Sequence, residues 1–470
     1  MTRVFRRRHL FVQIKSKQRL LVTDLDISSY PVIVTGINKP RPGEKAPPSA
    51  VRPSRWDVGP QVNNSSGAAG ATISITMSEE EDPLVLVTGV TGYVGSWVAY
   101  TLLRSGFRVR GTVRSLAEQQ RFVHLARDFC PKAKGARHGI KIVEADLLDG
   151  DVWDEAVHDC TYVIHCASPN PLEDPKTREE VLRPAVDGTL HILAACAKSE
   201  TVKRVVLTSS AAAIALGRDP MDVVFTEEIW AQHDNPKFPL SAYEESKLRA
   251  ERAAWEFIKS RTDGDARKLE LCTILPTMVL GAPFAHNVSA SVDLVRRVLL
   301  ADMVYLPDVW LDCVSIEDVA RAHVLAMLEP EAAGKRFLLH GGQISLQQLG
   351  TILNTEFRPK GYTPTKTHLP TWLLRLAASC LGAQSVGDLS MLGVKRSWRP
   401  ENCHSILKMS CKQDVKQMFL DLVYGTVRIG LVEDKSKHYT TKAKRLDKEL
   451  VDRLPGDDML VEDILHLRSS

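Results

Sequence analysis

No stretch of this chain reads as a membrane span. The longest apolar run late in the sequence, Leu369 to Gly382, is broken by Pro370 and Arg375 and is too short for the ~20 residues that a bilayer core requires. A disulfide framework and a zinc site are missing as well. The nine cysteines, scattered between Cys130 and Cys411, form no C-x-x-C pair and show no Cys/His spacing typical of metal ligation. They read as the reduced thiols of a cytoplasmic protein without a metal. No secretory apolar region opens the chain, so the Asn-x-Ser sequons at Asn63 and Asn64 read as chance matches. The net charge of +4 hides a lack of one-signed charge where it would matter: residues 1–76 hold 12 Lys+Arg against 4 Asp+Glu, and the rest holds 49 against 53. The body is therefore slightly acidic, which excludes a basic nucleic-acid-binding stripe.

What is present is a globular composition, 44% hydrophobic and 25% charged over 470 residues, enough for one large α/β domain with appendages or for two domains. The chain is organised around Leu84 to Thr112, LVLVTGVTGYVGSWVAYTLLRSGFRVRGT. An apolar strand pattern, Leu84 to Thr88, breaks into Gly89, Gly92 and Gly95. A helical pattern then runs through Trp97, Val98, Leu102 and Leu103 to Gly106, and a second strand follows from Phe107 to Val113. A strand, a glycine turn, a helix and a strand in direct succession predict a dinucleotide site. Gly89 serves the turn, Gly92 lets the backbone approach a pyrophosphate, and Gly95 lets the helix sit close to the strand. Thr91, Tyr93 and Val94 complete the turn and the helix start, whose unpaired N–H groups face the phosphates.

Before that unit the sequence predicts no packed element. Residues 1–23 carry seven Lys+Arg and no acid, as a mitochondrial presequence would, but serine is sparse and the apolar face is not clean. Residues 1–76 read as a disordered or basic leader and linker, and Met77 as a natural start for the folded part. After the second strand the pattern predicts a helix around Leu116 to Phe129, a strand Lys141 to Ala145, a helix Val152 to Cys160, a strand Tyr162 to Cys166, a helix Glu179 to Ser199 and a strand Arg204 to Thr208. Such alternation predicts a Rossmann-type doubly wound parallel sheet over residues 83–276, with ligands at the carboxyl ends of its strands.

The strand ending at Thr208 runs into Ser209 and Ser210. Farther on, Tyr243 and Lys247 stand at i and i+4 of a helix that continues through Phe257, so they share one face. Alone, a Y-x-x-x-K spacing usually marks a solvated helix face; after a glycine turn and a strand-end serine, in that order, it predicts chemistry. A phenol with a pKa of about 10 exchanges protons poorly at neutral pH unless cations favour its phenolate. Lys247 and an oxidised nicotinamide would supply that field, Ser210 would hold a carbonyl oxygen, and Tyr243 would deliver the proton as hydride reaches carbon.

Taken together, VTGVTGYVGSW at 87–97, VRGTVR at 109–114, ADL at 145–147, HCASP at 165–169, LTSSA at 207–211, YEESK at 243–247 and ILPTMVLGAP at 274–283 resemble an extended short-chain dehydrogenase/reductase. The chain is most similar to the dihydroflavonol-4-reductase-like group within the NAD-dependent epimerase/dehydratase superfamily. The resemblance covers roughly Pro83 to Asp434. It implies that Ser210, Tyr243 and Lys247 are the catalytic triad, that Asp146 and Leu147 flank the adenine, that Ala167 and Ser168 border the cofactor ribose, and that Pro276 and Thr277 pass the nicotinamide. One departure stands out: flavonoid reductases carry a polar residue, usually asparagine, five positions after the serine, and here that position is Ala215. A more apolar ketone or aldehyde is the alternative to a flavonoid.

The cofactor expected is NADP(H). Where an NAD-selecting site places an acid after the second strand, this chain has Arg114, and a guanidinium can grip a 2′-phosphate that a carboxylate would repel. The resemblance adds Arg121 as a second phosphate contact. For Arg110 and Arg121 the alternative is an ordinary solvated charge. Residues 277–434 read mainly as a smaller substrate-binding lobe with some return to the sheet, including helices Ser291 to Ala301, Ile316 to Leu328 capped by Ser315, Ser345 to Phe357, Trp372 to Leu381 and Val415 to Leu431. Trp310 and Trp398 are candidates for a pocket or for ordinary core. His165 and His286 read as structural, and residues 435–470 as a charged tail. The expected partner is a small carbonyl or alcohol substrate, with the chain a monomer or homodimer. A hydroxysteroid dehydrogenase or a sugar-nucleotide epimerase would use the same triad. A non-catalytic dinucleotide-sensing scaffold would typically lose the tyrosine or the lysine, and both are here.

Overall fold

The run Leu84–Thr88 forms β1, and Val85, Leu86 and Val87 are fully buried in it. A strand covered on both faces needs this continuous apolar pattern rather than alternation. The computed structural model describes residues 82–116, 140–171, 175–219, 223–261, 268–284, 288–373 and 392–435. In order, β1 is followed by α1 (Tyr93–Arg104), β2 (Arg108–Val113), β3 (Ile140–Glu144), α2 (Val152–Ala156), β4 (Tyr162–His165), α3 (Glu179–Lys198), β5 (Arg204–Thr208), α4 (Ala212–Ala215), β6 (Val224–Phe225), α5 (Ala242–Arg261) and β7 (Glu270–Pro276). Then come β8 (Met278–Leu280), α6 (Ala290–Leu299), β9 (Trp310–Ser315), α7 (Ile316–Leu328), β10 (Arg336–Leu339), β11 (Gly342–Ser345), α8 (Leu346–Phe357), β12 (Ser397–Trp398), α9 (Glu401–Ser405) and α10 (Val415–Arg428).

Seven strands form one sheet in the order β3-β2-β1-β4-β5-β7-β10, every neighbouring pair parallel. The order reverses between β1 and β4, so a crevice opens there at the carboxyl edge, where an open α/β sheet takes its ligands. Helices cover both faces. The helices α1 and α7 pack together on one, and α3 lies along α5 on the other. This is the doubly wound Rossmann-type arrangement expected from the alternation of strands and helices.

A second, three-stranded sheet, β8-β9-β11, starts one residue after β7 ends. With α6, α8 and α10 it encloses a core of its own around Leu349, Leu353, Phe357 and Phe419. The cap foreseen at Ser315 is formed, and the helix expected from Ser345 begins one residue later with Ser345 as its cap. The Ser315 hydroxyl accepts from Glu317 N at 3.2 Å, and Ser345 with Gln348 makes a reciprocal capping box.

One helix boundary and the reading of Arg110 are corrected. The helix expected over Val152 to Cys160 stops at Ala156, because Arg110 from β2 reaches across and donates to the carbonyls of Ala156 at 2.8 Å and His158 at 2.6 Å, while Asp159 turns the chain at φ 61°. Arg110 is thus neither a phosphate ligand nor a solvated charge; it is a buried clamp on a helix end. Trp310, a candidate for a pocket or for core, opens β9. The ring of Trp398 lies 5.2 Å from Phe225 and 5.9 Å from His340, part of an apolar cluster, and Lys395 Nζ stands 3.6 Å over Trp310. The expected helix near 116–129, most of that at 372–381, Arg121, His286, the leader and nearly all of the tail lie outside the described residues.

Candidate active site

The glycine turn is held by contacts that give each glycine a separate task. Gly89 has φ +67°, and a Cβ there would meet the Ala167 backbone at 3.0 Å. At Gly95 a Cβ would sit 2.3 Å from the Gly89 carbonyl oxygen, closer than atoms can approach, so α1 packs on the turn only because Gly95 has no side chain. Gly92 N donates to Gly89 O at 2.9 Å and closes the turn. Helix α1 begins beyond Gly92 with no side-chain cap and no acid in its first turn. Its amino end therefore presents backbone donors and a positive dipole to the crevice, a setting that suits a phosphate. Thr91 and Val94 are half-buried in the same turn. Tyr93 aims its hydroxyl away, donating to Gly281 O at 2.7 Å, and burial holds its phenol protonated.

Two threonines not singled out in the sequence lock this turn in place. Thr112 of β2 accepts from Gly89 N at 3.1 Å. Thr88, at the end of β1, accepts from Ala167 N at 3.0 Å, and its hydroxyl shares a hydrogen bond of 2.8 Å with His165 Nδ1. His165 Nε2 then faces Thr189 Oγ1 at 3.4 Å, and Thr189 donates to Ala185 O. Burial pushes His165 down to about 3, so it stays neutral. It is structural, fixing the strand that delivers Ala167 and Ser168.

The remaining sequence candidates line the same edge. Asp146 and Leu147 follow β3: Asp146 Oδ1 accepts from Leu148 N at 2.8 Å, and the Leu147 carbonyl meets His191 Nδ1 at 2.9 Å. Arg114 is exposed just past β2. The nearest acid in sheet register is Glu144 on β3, opposite Val113, and its carboxylate accepts from Leu116 N at 3.0 Å. Pro276 and Thr277 are buried where β7 passes into β8; Ala211 N donates to Pro276 O at 2.9 Å, and Thr277 N to Leu339 O at 3.0 Å.

Ser210 is half-buried beyond β5, and its Oγ accepts from Ala212 N at 3.1 Å. The next residues form α4, which packs on α5; Ala211, Ala213 and Leu248 share one cluster. Helix α5 starts at a capping box, Ser241 accepting from Glu244 N at 3.3 Å and Glu244 from Ser241 N at 2.8 Å. That cap fixes where the first turn begins and so places Tyr243. Lys247 Nζ lies 5.6 Å from the Tyr243 ring centroid. Burial pushes the Tyr243 phenol up to about 12, with Glu244 adding to it, and pulls Lys247 down to about 8. At neutral pH the arrangement is a protonated phenol beside an ammonium. Such a pair can give up a proton and then stabilise the phenolate left behind. Among the described residues no three metal-ligating side chains cluster together.

Residues 85–339 match the model of the NAD dependent epimerase/dehydratase family. Tetraketide alpha-pyrone reductase 1 of Arabidopsis thaliana is 35% identical over 280 residues, covering 58% of this chain and 81% of the relative. Dihydroflavonol 4-reductase of Gerbera hybrida is 29% identical over 294 residues, covering 62% and 76%. Among solved structures, Gre2 of Candida albicans in complex with NADPH superposes with a TM-score of 0.59 at 27% identity, over 74% of this chain and 99% of that one.

Proposed function

Because this chain belongs to the NAD-dependent epimerase/dehydratase family, we propose that it is an NADPH-dependent reductase of a ketone or aldehyde on a small or medium organic molecule. The observation that carries this reading is the pairing of half-buried Tyr243 with buried Lys247 on one face of α5, beside the strand end that presents Ser210. Bound in the crevice, the cofactor supplies the hydride. Every other part of the reaction falls to the chain's own side chains. Ser210 Oγ donates a hydrogen bond to the substrate carbonyl oxygen, which orients the carbonyl and draws charge onto oxygen. Tyr243, kept protonated by its burial, gives its proton to that oxygen, and Lys247 steadies the resulting phenolate. A phenol raised to about 12 stays protonated at neutral pH, and the adjacent Lys247 ammonium lowers the cost of giving up that proton once charge builds on the carbonyl oxygen.

The cofactor's binding residues in this reading are the backbone of Gly89 to Gly95, with Asp146 and Leu147 at the adenine, Ala167 and Ser168 at the ribose, and Pro276 and Thr277 at the nicotinamide. Arg114 and Arg121 take the 2′-phosphate. Ala215 is buried within an apolar cluster with Ile214 and Phe225, so this position offers a flavonoid no hydrogen bond. The relatives are named as reductases of a tetraketide α-pyrone and of a dihydroflavonol, in line with a carbonyl substrate. The test is consumption of NADPH against a panel of ketones and aldehydes by the wild type and by Tyr243→Phe. Turnover is expected in the wild type and a loss of about 10² to 10⁴ in the variant, with NADPH still bound. Equal turnover in the two would refute the role of Tyr243.

A further inference from the structure

We propose that Glu251 is a positioning residue for the reaction, its carboxylate setting the register of the helix that carries Tyr243 and Lys247 against the strand end that carries Ser210. The assignment rests on the reductase reading above. Glu251 stands at i+8 from Tyr243 and i+4 from Lys247, on the same face of α5, and its side chain is fully buried. Its two oxygens accept from Ser209 Oγ at 2.7 Å, Thr273 Oγ1 at 2.8 Å, Arg336 Nε at 2.8 Å and Nη2 at 3.1 Å, and Trp255 Nε1 at 3.3 Å. One carboxylate therefore ties α5 to strands β7 and β10 and to the residue just past the end of β5, Ser209, which immediately precedes Ser210.

Apolar packing alone would hold α5 on the sheet without fixing where along it the helix sits, because burial is non-directional. Charge-assisted hydrogen bonds are short and directional, and they convert the contact into a fixed register. A register error of about 1 Å between a proton donor and a substrate-holding hydroxyl costs on the order of 10² in rate. The bland alternative is that Glu251 merely neutralises buried Arg336. Arg336 is already held by other groups, donating to Glu227 O at 2.6 Å and Ile229 O at 2.8 Å with its carbon 3.7 Å over the Trp230 ring. Neutralising Arg336 does not require the Ser209 bond at all.

Three variants of the full chain separate the two. Ser209→Ala and Thr273→Val each remove one link while leaving the Glu251–Arg336 pair, and Glu251→Gln removes the charge. With the best carbonyl from the panel, Ser209→Ala is expected to lower kcat by about 10-fold or more with little change in NADPH dissociation constant or melting temperature. The deuterium isotope effect from NADPH labelled at nicotinamide C4 is expected to rise, because the chemical step becomes slower than release. A loss of folded protein would lower kcat and leave that isotope effect unchanged. In a double-mutant cycle, Ser209→Ala is expected to add little to Glu251→Gln; should Glu251→Gln fail to fold, the two hydroxyl variants still decide. Variants with wild-type kcat and isotope effect overturn the assignment alone. A wild type that consumes NADPH with none of the carbonyls overturns the reductase reading and the assignment together.

Discussion

Lys247 carries its charge to a place where water scarcely reaches it, and the cost should be measurable. Burial pulls its pKa from the ordinary 10.5 to about 8, a gap equivalent to on the order of 3 kcal/mol. Below pH 8 both folded and unfolded chains hold the proton, and the folded state bears the whole penalty of a buried ammonium. Between 8 and 10.5 only the unfolded chain holds it, so this penalty shrinks as pH rises, and above 10.5 it is gone. The unliganded Lys247→Met variant is therefore expected to melt higher than the wild type at pH 7, with the difference fading toward pH 10, and to have lost turnover. Equal melting temperatures at pH 7 would show that the ammonium is better solvated than its burial implies. The Tyr/Lys spacing was legible in the sequence. The opposing drift of their two proton affinities was not, since it depends on how deeply α5 sinks into the fold.

At the scale of elements, the turn between β1 and α1 and the helix α7 each make a prediction. A methyl group at Gly95 would lie 2.3 Å from Gly89 O and 3.0 Å from its carbon, and the backbone of the turn cannot yield without opening. Gly95→Ala is expected to weaken NADPH binding by at least about 10-fold and to lower stability by roughly 1–3 kcal/mol, read by fluorescence titration and thermal melting. Helix α7 contains His323, whose Nδ1 lies 2.7 Å from Val319 O and whose Nε2 lies 2.7 Å from Thr208 Oγ1. Burial holds it at about 4, against an ordinary 6.5. As pH falls from 6.5 to 4 the unfolded chain takes up a proton that the folded chain refuses, so stability drops by about 1.4 kcal/mol per pH unit from this group. His323→Gln keeps an acceptor for Thr208 but cannot titrate, and its stability is expected to fall less steeply over that range. Parallel slopes would remove His323 from the acid response.

For the whole molecule the readout is linkage between ligand and fold. A cofactor that binds only the folded state stabilises it by about 2.7 kcal/mol at 100 times its dissociation constant. NADPH is expected to raise the melting temperature more than NADH does at equal concentration. Arg114→Asp is expected to abolish the NADPH shift while sparing or enlarging the NADH shift, because a carboxylate there repels the 2′-phosphate and suits the ribose hydroxyls. Equal loss of both shifts would mean that Arg114 supports the fold rather than the phosphate. Cofactor binding should also be felt in the second core, since Tyr93 and Trp97 of α1 donate to Gly281 O at 2.7 Å and Ala282 O at 2.9 Å, just past the end of β8.

The sequence by itself determined whatever is written in short-range pattern: continuous apolar runs for β1, β4 and β5, three glycines at fixed spacing, a cap at Ser315, and Tyr243 and Lys247 one helical turn apart. Each is a relation among residues a few positions apart, and a strand or helix repeats it with a fixed period. Only the tertiary structure decided the rest. Arg110 reads as a strand cation and becomes a clamp on carbonyls 46 and 48 positions away. Thr112 in β2 and Ala167 just past β4 constrain Gly89 from two other parts of the sheet. Glu251 reads as one more charge on a helix rich in them, and Ser209, Thr273 and Arg336 come to it across 42, 22 and 85 positions. No local period encodes such partners; they are set by which strand lies beside which, and that order exists only once the sheet has formed.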